Sequence, residues 1–453
     1  MKRPARPISD HPLWLALIPP AYLVSFAYGN WLNSTQCISN SAFDYLRKAF
    51  GLATKIEYLD YWEARTICID PYWVNQWLKN YSAGIVKRGL LGTGLGTLSP
   101  GEINVILLNI ACFLIPIFIF LLMALAIRRQ TQKSWPLISV FLAILTLTPF
   151  GKVLAETTGD PLQVVCLITL IGLTILTNES SRLDETFVSF ILAMIYLISI
   201  LIYEGSFLLL LPMLTLTKGR MSRIITIASI GVGAALIWQF SGAESSETGS
   251  LITSSYSGFN PITGNSIKYI HSQNLAASAS FFFNVKQEFS KYIDDPYGSI
   301  RWIGTAAAMS LFFMLSIANF ICNRQSNAQY YFIKNWLAIS LFGLPFFLIT
   351  HDWFRYGIIT IILAVAMLAR QAIDQPQDLQ YRKLPTRKSI DVVVVFLIVI
   401  VAALIGPHQL DVRRGIVPIV YWQAYGGMAV IAGVTLWRSL AVNSAALKQS
   451  EPD

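Results

Sequence analysis

The segment Asp60-Tyr61-Trp62-Glu63-Ala64-Arg65 sets two carboxylates three residues apart, which in a helix share one face. Downstream, Lys87-Arg88-Gly89-Leu90-Leu91-Gly92-Thr93-Gly94-Leu95-Gly96 runs two cations into four glycines. Glycines let backbone amides approach an anion, and Lys and Arg supply charge and donors, so this stretch suits a phosphate or diphosphate. It is not a nucleotide P-loop, because the Gly-Lys-Ser/Thr ending is missing. A flexible turn whose cations touch lipid phosphates explains it equally well. Between the two motifs, Tyr72, Trp73, Trp77 and Tyr81 repeat at helical spacing. That is the pattern of an interfacial helix with its aromatics in the headgroup belt.

Three further polar clusters sit between apolar runs: Lys152 to Glu156 with Asp160, then Tyr203-Glu204-Gly205-Ser206, then His351-Asp352-Trp353-Phe354-Arg355. Charges in such a setting carry a desolvation cost unless they pair or bind something. Both outcomes stay open for the last cluster, the most specific in the chain. Asp160-Pro161 also has helix-start chemistry, as does Ser99-Pro100-Gly101-Glu102, and neither Ser99 nor Glu102 needs a role beyond capping.

The elements that must position these residues are read from hydrophobicity. Only 13% of the 453 residues are charged and 54% are hydrophobic, with a mean hydropathy of +0.54. A soluble domain carries about 25% charged residues. The expected fold is all-α: one integral membrane domain over residues 1–453 with about twelve spans, in the range of eleven to thirteen. Candidate spans are 13–29, 103–127, 135–150, 161–177, 187–203, 206–217, 224–240, 302–323, 334–350, 356–371, 390–406 and 416–437. Two long outer loops follow, at 30–101 with interfacial helices and at 241–301. The pair meeting at Glu204-Gly205 is read as two spans, because that reading puts most of the 34 basic residues on one side. Both termini are then cytoplasmic, and most of the acids face outward. Cys37 and Cys68 share the first outer loop, where an oxidising exterior would allow a disulfide. The net charge of +9 reflects basic residues at inner span ends. No zinc-finger spacing or basic-aromatic stripe points to nucleic acid. No acid falls near the middle of a span, unlike in most ion-driven transporters.

The layout resembles the GT-C superfamily of membrane glycosyltransferases, on Asp60-Tyr61-Trp62-Glu63-Ala64, Lys87-Arg88-Gly89-Leu90-Leu91-Gly92 and His351-Asp352-Trp353-Phe354-Arg355. The first loop has no Asp-x-Asp pair, a departure from the family's pattern. The resemblance implies transfer of a sugar from a polyprenyl phosphate or diphosphate carrier to a cell-envelope glycan, lipid or protein acceptor, at the outer face. Such transfer needs a carboxylate for the acceptor's proton and cations for the departing phosphate. Asp60 is the expected base, with Glu63 and Asp44 as alternates. Lys87, Arg88 and Arg355 are the expected carrier-phosphate ligands. Glu156, Asp160, Glu204, His351 and Asp352 would shape the pocket or bind a divalent metal. The expected partners are membrane lipid, a polyprenyl-linked sugar and the acceptor, in the cell membrane (the inner membrane of a Gram-negative bacterium). A surface-polysaccharide polymerase or ligase resting on Arg355 and His351, and a transporter or flippase of lipid-linked substrates, are the alternatives.

Overall fold

The computed structural model describes residues 11–32, 77, 89–98, 105–131, 133–179, 184–242, 293–294, 296–321, 327–349 and 353–371. Every element among the described residues is helical. A 3-10 turn, Pro12–Leu17, leads into α1 (Ile18–Leu32). Pro19 and Pro20 fall in the first turn of α1, where their missing N–H groups would have found no partner. Then come α2 (Gly89–Leu98), α3 (Val105–Thr131), α4 (Trp135–Thr146), α5 (Pro149–Glu156), α6 (Pro161–Glu179) and α7 (Glu185–Ile202). The short α8 (Ser206–Leu209) continues as a 3-10 stretch, Leu211–Leu216, before α9 (Arg220–Gly242), α10 (Pro296–Ile321), α11 (Ala328–Ile349) and α12 (Trp353–Gln371).

The bundle is built around α12. Every residue from Phe354 to Ala369 is buried, with α3, α5, α6, α10 and α11 packed on it. A helix apolar on all sides belongs in a protein core or in a membrane, and α12 has the first of these settings. Gly357 lets α10 come close: a Cβ there would lie 1.8 Å from Ser310 Oγ.

Among the described residues, five helices are long and apolar enough to cross a membrane: Ile110–Thr131, Glu185–Ile202, Arg220–Gln239, Ile303–Ile321 and Trp353–Gln371. The bent pair α4 and α5 would make a sixth, and Pro12–Ser25, Pro161–Leu176 and Ser206–Leu216 are shorter apolar helices. The expected twelve spans are thus seen only in part, and 390–406 and 416–437 lie outside the described residues. The expected span 135–150 appears as this bent pair. It breaks between α4 and α5 with a bend of 65°. Thr148 caps the new helix, its Oγ1 accepting from Phe150 N at 3.3 Å, and Pro149 follows in the first turn. The bend brings the two helices so close that a Cβ on Gly151 would lie 1.9 Å from the Thr146 carbonyl oxygen.

At Glu204 the chain turns and comes back. Ser189 Oγ, in the first turns of α7, lies within hydrogen-bond distance of Thr217 Oγ1 at 2.8 Å and Ser222 Oγ at 2.7 Å, and Lys218 N donates to Glu185 at 3.0 Å. The returning segment is short, and its 3-10 stretch rises about 2 Å per residue against 1.5 Å in an α-helix, which extends its reach.

The helix ends sort by charge. At the C-terminus of α3, Arg129 Nη1 donates to Thr174 O at 3.2 Å and Gln130 Nε2 to Leu368 O at 3.0 Å. These bonds tie together the last turns of α3, α6 and α12, where cations and donors complement the carbonyl end of a helix. Asn335 and Gln371 exchange hydrogen bonds at 2.9 and 3.2 Å there as well. Arg128, Arg129, Lys133, Lys218, Lys334 and Arg370 all belong to this basic end, while α6 and α12 begin at the opposite one.

Gly357→Ala is expected to lower stability by about 1–3 kcal/mol through overpacking. The companion change Ser310→Ala should restore part of the loss, because the nearest remaining side-chain contact is then 3.0 Å. Thermal unfolding of purified single and double variants in detergent checks this, and purely additive losses would contradict the packing described.

Candidate functional site

The site lies where α6 and α12 begin. Asp160 precedes Pro161 and caps α6, its Oδ1 accepting from Leu162 N at 3.0 Å. Its other oxygen, Oδ2, faces Arg355 Nη1 at 3.4 Å. Both are buried, Asp160 at 1% and Arg355 at 8% exposure. Asp160 therefore caps α6 with one oxygen and pairs with Arg355 through the other.

Arg355 sits in the first turn of α12 and uses its second terminal nitrogen on tyrosine. Nη2 donates to Tyr356 Oη at 2.7 Å and lies 3.5 Å from Tyr203 Oη. The two tyrosine hydroxyls are 2.6 Å apart, although 153 residues separate them in sequence. Phe346 and Phe347 of α11 wall this pair, with ring centroids 5.1 and 5.3 Å from Tyr356. The close fit needs Gly205, where a Cβ would lie 2.5 Å from Phe346. Lys152 of α5, which packs on α12, adds a second buried cation at 2% exposure.

The turn carrying Asp160 is braced on several sides. Gly159 adopts φ +94°, a left-handed conformation that favours glycine. Gln163 Nε2 donates to Leu154 O at 2.9 Å and to Thr157 O and Oγ1 at 3.0 Å each. Tyr22 Oη and Thr158 Oγ1 share a 3.3 Å bond. The Trp77 indole N–H donates to Gly159 O.

Of the expected site residues, the structure brings Asp160 and Arg355 together, with Glu204 in the turn that follows Tyr203. Arg355, expected as a phosphate ligand, is engaged by Asp160 and Tyr356. Glu156 ends α5. Asp44, Asp60, Glu63, Lys87, Arg88, His351, Asp352, Cys37 and Cys68 lie outside the described residues. Two expectations are corrected. Residues 89–98 form α2 rather than a loop, with Thr93 Oγ1 donating to Gly89 O at 2.8 Å. An apolar setting drives backbone groups to bond within their own segment, even in a glycine-rich one. Trp77 is buried at 6% exposure, packed within the protein rather than placed in a headgroup belt.

Tyr356 and the pairing role of Tyr203 escaped the sequence reading. Tyrosines beside Arg355 and Glu204 were the available hint, but nothing local connects positions so far apart. Among the described residues, no group of three His, Cys, Asp or Glu side chains is placed to hold a metal ion. What the arrangement offers is a buried guanidinium, oriented by a carboxylate and two phenols, where α6 and α12 begin.

Breaking one partner of a buried ion pair typically destabilises by about 3–5 kcal/mol, since the other charge stays buried. Arg355→Gln and Asp160→Asn should each lose stability on that scale, and the double variant should lose much less than their sum. Tyr356→Phe should lose only about 1 kcal/mol. Additive losses in a double-mutant cycle would show that the two charges do not interact. Comparison of the chain with protein-family models, with curated proteins and with solved structures returned no match.

Proposed function

We propose that the chain is a membrane glycosyltransferase, GT-C-like, that moves a sugar from a polyprenyl phosphate or diphosphate carrier to a cell-envelope acceptor. The observation that carries the reading is the convergence of three sequence-distant polar clusters, through Asp160, Tyr203 and Arg355, at the end of the bundle opposite the basic residues. By the positive-inside rule the basic end is cytoplasmic and the site faces outward in the cell membrane.

In this reading Asp60 takes the acceptor hydroxyl's proton, with Glu63 or Asp44 as alternates, and Lys87 and Arg88 hold the carrier phosphate. Arg355, oriented by Asp160, is the fixed positive centre that favours charge developing on the leaving phosphate. Glu156, Glu204, His351 and Asp352 complete the pocket. One observation favours a second reading. The broken pair α4 and α5 resembles the discontinuous helices on which transporters build binding sites, so a flippase of lipid-linked sugars is the competing function.

Product formation from a polyprenyl-linked sugar by the purified protein tests the first reading. Asp60→Asn should lower turnover by about 10²–10⁴ while the protein still inserts and melts normally. Arg88→Ala should also weaken carrier binding. Full activity in Asp60→Asn alongside loss in Arg355→Lys would move the reading to the polymerase class. Absence of transfer, with lipid-linked sugar scrambled in proteoliposomes, would favour the flippase.

Orientation has its own test. Asp184 begins the turn into α7 at the basic end, Asp294 precedes α10 at the other, and both are exposed. In a cysteine-free background, an impermeant thiol reagent added outside intact cells should label Asp294→Cys and spare Asp184→Cys. The reverse pattern would invert the topology.

A further inference from the structure

We propose that Trp77 is a positioning residue for the Asp160–Arg355 pair, acting through the Gly159–Asp160 peptide; its effect on turnover rests on the transferase reading above. A peptide unit is planar, so fixing its oxygen and its N–H fixes the direction in which the next residue leaves. Both groups of this unit are held. The Gly159 oxygen accepts from the Trp77 indole, and the Asp160 N–H donates to Thr157 O at 2.9 Å.

The peptide sits immediately after a glycine at φ +94°, the residue with the widest choice of backbone conformations, so its direction needs an external hold. Its orientation therefore decides whether the Asp160 carboxylate can cap α6 with one oxygen and meet Arg355 with the other. The braces from Tyr22 and Gln163 bind residues 157 and 158, whereas Trp77 binds the Gly159 oxygen itself. Trp77 also comes from the stretch between α1 and α2. That stretch holds Asp60 and Glu63 ahead of it and Lys87 and Arg88 behind it, so the residue belongs to the same covalent segment as the proposed base and phosphate ligands. A buried indole N–H requires an acceptor. A core tryptophan needs no acceptor on this one peptide, whereas a positioning residue does.

The test is Trp77→Phe in the full-length protein, which keeps an apolar ring and removes the N–H. Loss of one hydrogen bond, about 1 kcal/mol net, should speed amide exchange across residues 158–163 by about fivefold. Unchanged exchange would overturn the proposal. Melting of Trp77→Phe in the Asp160→Asn background gives a readout free of activity. Positioning predicts that the Trp77 change loses clearly less there than in the native background, whereas additive losses would reduce Trp77 to core packing. With a lipid-linked sugar as substrate, kcat should fall while KM holds, because Trp77 touches no substrate. Faster exchange with unchanged kcat in an active protein would overturn the role in turnover. If the native protein transfers no sugar, the transferase reading falls, and the exchange and melting results still decide whether Trp77 positions Asp160.

Discussion

A guanidinium in the first turn of the helix on which the rest of the bundle packs must have a counter-charge brought to it. Arg355 is enclosed by α12's own neighbours, and in such a setting an uncompensated cation would be expensive. The carboxylate comes from Asp160, and the demands on Asp160 organise one end of the molecule. The residue must leave the α5–α6 turn in a fixed direction, so the turn carries a left-handed glycine and side-chain braces from α1, α6 and Trp77. Tyr203 and Tyr356 take up the other edge of the guanidinium, which sets how closely the α7–α8 turn and α11 approach α12. Gly205 is the position where that approach leaves no room for a side chain, as Gly357 is for the approach of α10.

The pair is not symmetrical. Asp160 lies at the N-terminus of α6, where the helix dipole and the Leu162 amide both favour a negative charge. Arg355 lies at the N-terminus of α12, where the same dipole disfavours a positive one. The carboxylate is thus well held by its own helix, and the arginine depends on partners. Replacing a buried ion pair with apolar residues of similar volume is often neutral or stabilising. A network with this many braces, built around a cation placed at the wrong end of its helix, is hard to account for as a device for stability alone.

The sequence made the alternation of apolar helices legible because burial and bilayer length act locally on composition. It also made Asp160 and Arg355 legible singly, since a charge between two apolar runs signals a cost that something must offset. Their pairing was not legible, because contact between α6 and α12 is set by packing of the whole bundle. The break between α4 and α5 was in principle visible, as Thr148-Pro149 followed by Gly151 carries a cap and a kink-forming pair, but a hydrophobicity window averages such signals away. The glycines of 89–96 misled for the opposite reason. In water they favour a loop, and among apolar neighbours the backbone bonds internally and the helix wins.

The charges where α6 and α12 begin bear on which class of ligand suits this end. The two helices that start there each present the positive end of a dipole, with Arg355 buried in the first turn of α12 and Lys152 buried in α5, the helix before α6. Asp160 is the buried acid among the described residues of this end, with Glu204 half-buried in the next turn. Among the described residues of this end the buried charges are Arg355, Lys152 and Asp160. A cation-coupled transporter would need a buried site of carboxylates and carbonyls with spare negative charge. Under the transferase reading, a phosphate on a lipid carrier would need positive charge, which the helix starts and Arg355 supply, and an apolar surface beside it for the tail. An anionic ligand there would compete with Asp160 for Arg355, the less well-held member of the pair, and could draw on the guanidinium without first dismantling the α6 cap.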